Sequence, residues 1–158
     1  MNETCFTLLF FKGFAICQLA TSLGGEGHTL ALATSGEVFS WGDGDGGKLG
    51  HGSTDRSRRP RPIEALRQTQ AANRAANPGP TSSAHEPVAA VKFVAVGHRH
   101  SAVISRDGRL LTFGRGEQGC LGLGVATCKR TPELVATLKH VKMGQVACGQ
   151  GHTVSATP

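Results

Sequence analysis

Residues Gly25 to Gly52, GEGHTLALATSGEVFSWGDGDGGKLGHG, recur without a gap as Gly97 to Gly124, GHRHSAVISRDGRLLTFGRGEQGCLGLG, 72 residues further on. The offset lays His28 on His100, Gly36 on Gly108, Trp41 on Phe113, Gly42 on Gly114 and Leu49 on Leu121. A third copy begins at VACGQGHTVS, where Gly149 and His152 follow Gly97 and His100 by 52 residues. The spacings differ by 20 residues, the length of Gln68 to Pro87, so this stretch reads as an insertion into a repeat of period 52. Units of that size bury their apolar faces against one another, which restricts the chain to a propeller or a solenoid.

The pattern divides the chain into a leader at 1–21, repeat one at 22–67, an insertion at 68–87, repeat two at 88–142 and the start of repeat three at 143–158. Within a copy the expected order is strand, turn, strand, loop, with Ser35-Gly36 and Asp107-Gly108 closing tight turns. The glycines from Gly42 and from Gly114 form a compact loop plugged by Leu49 or Leu121, and a short extended segment follows Pro60 or Pro132. Projecting Val94 to Val96 back by 72 lands on Ser22-Leu23-Gly24, so repeat one is expected to lack the apolar opening strand of the other copies. Repeat three is expected to stop before a hairpin completes. The insertion, QTQAANRAANPGPTSSAHEP, has almost no large apolar residue with which to offset its ordering entropy and is expected to be disordered.

Composition supports a β-rich reading. Twenty-two glycines, aromatics at 5% and no tyrosine suit a turn-rich protein with a thin core better than a helical one. The formal charge of +6 favours acidic partners. Five cysteines without a C-x-x-C pair argue against a disulfide framework and for a reducing compartment, hence an intracellular protein, cytoplasmic or nuclear. The apolar run Thr7 to Phe11 is interrupted by Lys12, too short to span a bilayer, and lacks the basic flank of a signal peptide, so no membrane partner is expected.

The combination G-x-x-H, turn Gly, aromatic-Gly and G-x-x-G-x-L-G-x-G resembles the regulator of chromosome condensation repeat family, over Gly25 to Leu66 and Val91 to Thr157. The wording SWGDGDGGKLGHG is most similar to the repeats of large HECT-type ubiquitin ligases and of some repeat-bearing kinases, and neither the HECT nor the kinase part has a counterpart here. The resemblance implies an all-β fold, an incomplete β-propeller of about two blades plus a stub, cut from a family ring of seven four-stranded blades. It also implies a protein-interaction module and a piece of a longer protein. The alternatives are a guanine-nucleotide exchange regulator of a small GTPase, as in the founding member, which also binds chromatin, or a truncated form without function of its own. No exchange residue is carried over, because exchange in the family uses one face of a complete ring.

Other motifs are better explained by the repeat. Gly42 to Lys48 nearly spells a phosphate-binding P-loop, but Leu49 stands where that loop needs Ser or Thr, and the second copy has Cys120 in place of the lysine. Asp43 and Asp45 suggest a calcium loop, yet Gly47 and Lys48 break its ligand pattern. His28, His100 and His152 recur one per blade and are expected to bond backbone groups inside their own blades, kept apart from any common metal. No catalytic constellation appears, so the expectation is a non-enzyme with no cofactor and no metal.

One charged feature stands out. Arg56, Arg58, Arg59 and Arg61 crowd the segment DRSRRPRPIEALR, opposed by Asp55 and Glu64. They read as a loop leading out of repeat one, able to dock an acidic protein face, or phosphates of nucleic acid or chromatin, or simply as a solvated loop. Lys129 and Arg130 hold the matching place in repeat two and extend the basic rim.

Overall fold

Runs such as HTLALA, VFSWG, HSAVIS and LLTFG carry apolar residues on both faces of a strand, as sheets packed between other sheets require. A computed structural model describes residues 11, 13–67 and 89–158. Blade one contains β1 (Ile16–Thr21), β2 (His28–Ala33), β3 (Val38–Gly42) and β4 (Ser57–Pro62), antiparallel and in that spatial order. Blade two repeats the order with β5 (Val91–Val96), β6 (His100–Ser105), β7 (Leu110–Gly114) and β8 (Lys129–Leu134). A third, two-stranded sheet pairs β9 (Gln145–Cys148) with β10 (Thr153–Ala156). The chain is an incomplete β-propeller. β1, β5 and β9 pack side by side at its converging inner side, and β4 and β8 are the outer edges.

Three expectations change. Repeat one keeps its opening strand: β1 lies within the stretch read as a leader and pairs with β2 from Thr21↔Thr29 to Ile16↔Ala33. Six residues separate β1 from β2 but only three separate β5 from β6, so a constant offset of 72 overshoots the strand. Repeat three does complete a hairpin, from Thr153↔Cys148 to Ala156↔Gln145. Pro60 and Pro132 lie inside β4 and β8 rather than before an extended segment. Each falls where the pairing register shifts, an irregularity on an edge strand that dispenses with a proline N–H. A helical turn follows each edge strand, at 64–67 and at Ala136–Leu138. The expectation for 68–87 lies outside the described residues.

The hairpins close by three-residue loops, one residue longer than the tight turns read from the sequence. Ser105 N donates to Arg109 O at 3.0 Å and Gly108 N to Ser105 O at 2.9 Å, and the same pair recurs at Ala33, Gly36 and Glu37. This is a tight turn finished by a glycine in the left-handed region. The aromatic-Gly step has a sharper cause. Gly42 and Gly114 combine φ near +110° with close backbone: a Cβ would stand 2.7 Å from His28 Cα or from Arg99 O. No side chain fits there.

The seam between the blades is apolar. Leu30, Leu32 and Val38, with Ile63 and Leu66, pack against Val91, Val94, Val103, Leu111 and Phe113. Burying each such side chain contributes about 1.5–3 kcal/mol, and here the burial depends on both blades. Ala102, Ile104, Leu110 and Val135 form the next seam with Met143 and Val146. The far face of blade one, Ala31, Ala33 and Phe39, is covered by Phe11, which packs edge-on to Phe39 at 5.3 Å.

Candidate partner-docking edge

Leu49 and Leu121 are buried as expected, and each anchors its loop to the third strand of its blade. Ser40 Oγ donates to Leu49 O at 2.6 Å, and Thr112 Oγ1 to Leu121 O at 2.7 Å. One 3₁₀ turn occupies each loop, at Asp45–Gly47 and Glu117–Gly119. With the loop fixed at Leu49, the chain turns back into β4, and this places the arginines.

Arg58, Arg59 and Arg61 therefore lie on a strand, not on the loop expected for them, with Arg56 immediately before it. All four are exposed. Among the described residues no strand pairs with the outer edge of β4. Pro60 and Pro62 offer no N–H there, so two of its six residues cannot donate to an added strand. Prolines and positive charges are the usual means of keeping such an edge from pairing indiscriminately. Of the two acids read as opposing the cluster, Glu64 is engaged elsewhere. Glu64 pairs with Arg67 at 3.2 Å, and Arg67 also reaches Glu37 at 2.9 Å. No hydrogen bond or ion pair holds the side chains of Arg56, Arg58 or Arg61 among the described residues. In blade two Lys129 and Arg130 begin β8. Lys129 lies 3.9 Å from Glu133, and the Arg130 carbonyl accepts Gly52 N at 2.9 Å.

His28 and His100 do not bond backbone within their own blades; each reaches across a seam. His28 Nε2 lies 2.8 Å from Ser101 Oγ, and Ser101 donates its own proton to Lys48 O at 2.9 Å. His100 Nε2 lies 2.9 Å from Thr153 Oγ1, which donates to Cys120 O at 2.7 Å. With both hydroxyl protons committed, the imidazoles must be the donors, which fixes the neutral Nε2–H form. Burial, then the Lys48 and His100 charges, hold His28 down to about 3; burial also lowers His100. Gly97 makes room for the second imidazole, since a Cβ there would stand 2.6 Å from His100 Cε1, and His152 crowds Gly149 likewise. Gly25 has open space around it, because the longer β1–β2 connection displaces it from this role.

Lys48 is the residue the sequence did not mark as core. It is 1% exposed, with Nζ 2.7 Å from Asp43 Oδ1 and 3.0 Å from Glu26 O. Burial pushes the Asp43 carboxyl up, but hydrogen bonds from Lys48 and from the Asp45 amide, with the Lys48 charge, outweigh it and leave it below its ordinary value. The lysine of the apparent P-loop is thus a structural cation. Of the thiols, burial raises Cys120 and carries Cys148 to about 11, which leaves neither activated as a nucleophile. Among the described residues, no three His, Cys, Asp or Glu side chains gather to hold a metal, and no helix is long and apolar enough to cross a membrane.

The regulator of chromosome condensation (RCC1) repeat matches at residues 35–104 and 107–156, and a second description of the same repeat matches at 16–48 and 91–120. The chain is 43% identical over 124 residues to the human E3 ubiquitin-protein ligase HERC2, covering 78% of this chain and 2% of that protein. Human WBSCR16 superimposes with a TM-score of 0.68 at 27% identity, over 93% of this chain and 32% of that one. Prp20p of Saccharomyces cerevisiae, described with its binding to Gsp1p and histones, superimposes with a TM-score of 0.67 at 22% identity, over 91% of this chain and 31% of that one. This chain therefore spans only a small part of HERC2 and about a third of either structure.

Proposed function

The chain belongs to the regulator of chromosome condensation repeat family, and from that premise we propose that it is a non-enzymatic protein-interaction module, part of a longer propeller, that docks an acidic protein surface along β4. The observation that carries this reading is the row of exposed arginines on an unpaired edge, with Glu64 and Glu37 drawn off by Arg67. Guanidinium groups pair with carboxylates in two-pronged geometry, and uncommitted ones lose no existing bond on docking. The buried histidines and high-pKa thiols serve the seams, which supports a binding rather than a catalytic role. Membership of a longer propeller is supported by Val154, 60% exposed on the outward face of the third sheet. The likeness to Prp20p, at 22% identity, carries the fold alone, so exchange on a small GTPase and chromatin binding are not adopted.

The test is titration of a fluorescent glutamate-rich peptide into the chain and into a variant with Arg56, Arg58, Arg59 and Arg61 all changed to Ser. The parent is expected to bind with an affinity that falls as salt is added, and the variant to lose that binding. Its denaturation midpoint should stay close to that of the parent, because exposed sites of this kind shift stability by no more than about 0.5 kcal/mol each. Equal binding by a folded variant refutes the docking edge.

A further inference from the structure

Blade one carries ionisable groups at places where blade two shows that the repeat does not need them. At the offset of 72, His51 falls on Leu123, Arg59 on Thr131 and Arg61 on Glu133. Leu123 packs, partly buried, against the apolar cluster that contains Val135. Blade one has the residue matching Val135 in the buried Ile63, yet it puts an imidazole where the leucine would be. The fold alone does not call for that histidine.

His51 is half-buried in the seam between blades one and two, where the strands of both blades are present. The adjacent Gly50 abuts the Phe113 ring, a Cβ there lying 2.9 Å from Cε2, and Gly52 N donates to Arg130 O at 2.9 Å. His51 Nε2 lies 3.0 Å from Ser40 Oγ, whose own proton goes to Leu49 O at 2.6 Å. The neutral ring therefore carries its hydrogen on Nε2 and takes a second proton at Nδ1. Ser40 pairs directly with Arg61 of β4, and side chains so paired share a face of the sheet. Around the ring, β4 brings Arg61, the turn at 64–67 brings Glu64, which Arg67 holds, and β3 brings the uncharged Ser40. On β8, joined through Gly52, the charged groups are Lys129, Arg130 and Glu133, with Lys129 3.9 Å from Glu133. Burial, the largest influence, and Arg61 discourage the second proton, while the Ser40 backbone and Glu64 favour it. The net effect holds the imidazole below its ordinary value, so it is largely uncharged at neutral pH.

We propose that His51 is a proton-operated part of the β4 edge: an acidic partner seated on Arg61 draws a proton onto the ring, so the edge grips carboxylates more tightly as the solution is acidified. This role rests on β4 being the docking edge. Carboxylates brought to Arg61 offset the charge that opposes protonation and place negative charge beside the ring, and both effects favour the imidazolium. A ligand that raises the proton affinity of a group is, reciprocally, bound more tightly by the protonated form. One partly exposed ion pair multiplies affinity by about two- to fivefold.

The experiment follows the His51 ring by NMR through a pH titration of the whole chain, alone and with a saturating aspartate-rich peptide. Peptide affinity is measured at pH 7.5 and 5.5 at constant ionic strength, a range over which aspartate stays ionised. The His51 midpoint is expected to rise on binding by about 0.3–0.7 of a pH unit, and affinity to be about two- to fivefold higher at pH 5.5. His51→Leu, which installs the residue of blade two, should remove that gain. The ring titration needs no variant, so it decides the matter even where His51→Leu fails to fold. A peptide that binds in a salt-dependent way while the His51 midpoint stays put overturns the proton-operated role and leaves the docking edge standing. The same gain in a folded His51→Leu chain overturns it as well, by assigning the gain to other histidines. Absence of peptide binding at both pH values overturns the docking edge and this role together.

Discussion

His28 makes the stability of the fold depend on pH in a direction and amount that follow from its surroundings. The ring is 1% exposed, donates from Nε2 to Ser101 across the seam and lies within reach of the Lys48 charge of its own blade. Its folded pKa is therefore held at about 3, burial being the largest cause, against an ordinary 6.5, with Asp43 pulling the other way. A group whose folded pKa is depressed binds more protons unfolded than folded, so stability is lost as pH falls from the unfolded value towards the folded one. From pH 7 to pH 5 the unfolded chain takes up about 0.7 of a proton at this residue and the folded chain takes up almost none. The loss amounts to about 2 kcal/mol. Urea denaturation at the two pH values measures it, with His28→Gln as control, since glutamine keeps an N–H donor and does not titrate. The parent should lose about 2 kcal/mol more than the variant between pH 7 and 5, both sharing the smaller contribution of His100. Equal losses would refute the neutral, Nε2-protonated histidine and the hydrogen-bond relay built on it.

Changing Asp43 to Ala leaves the Lys48 ammonium in the seam with only the Glu26 carbonyl, and should cost about 3–5 kcal/mol in denaturant unfolding, much of it recovered by adding Lys48→Met. Because the Asp43 carboxyl lies below its ordinary value, the stability it supplies should be present at neutral pH and decline as the solution is acidified through the folded pKa, a decline absent from the double variant. Gln18 grips blade two like a strand, donating to Val94 O at 2.9 Å and accepting Val94 N at 3.0 Å. Gln18→Ala should cost about 1–3 kcal/mol, with faster amide exchange at Val94 as the local readout.

The hairpins, the glycine loops and the leucine plugs were legible because each is fixed within one copy, where the offset compares like with like. β1 was not, although ICQLAT alternates as a half-buried strand does, because three extra residues before His28 broke the constant offset on which the comparison rested. The arginines of β4 were found by composition but misplaced by structure: Pro60 suggested a break, whereas an edge strand with an irregular register holds a proline without losing a bond. Lys48 was hidden by its charge. A lysine is seldom buried unless paired, and its partner Asp43 lies five residues back, across a turn whose path no local pattern dictates.

The histidines show why the remaining chemistry could not be read one repeat at a time. In every copy a hydroxyl follows the histidine directly: Thr29, Ser101 and Thr153. The two side chains belong to different junctions, since neighbouring residues on a strand point to opposite faces. The histidine reaches forward to the next sheet, and the hydroxyl receives the imidazole of the sheet before. Where no earlier imidazole arrives, Thr29 turns instead to Thr21 at 3.1 Å. At the other end the His152 side chain is exposed. The His-Ser/Thr step is therefore half of one seam joined to half of the next. The same two residue types make a fixed hydrogen bond at His28–Ser101 and at His100–Thr153. A repeat sequence states what each blade contributes; what the contribution is worth depends on the neighbour it meets.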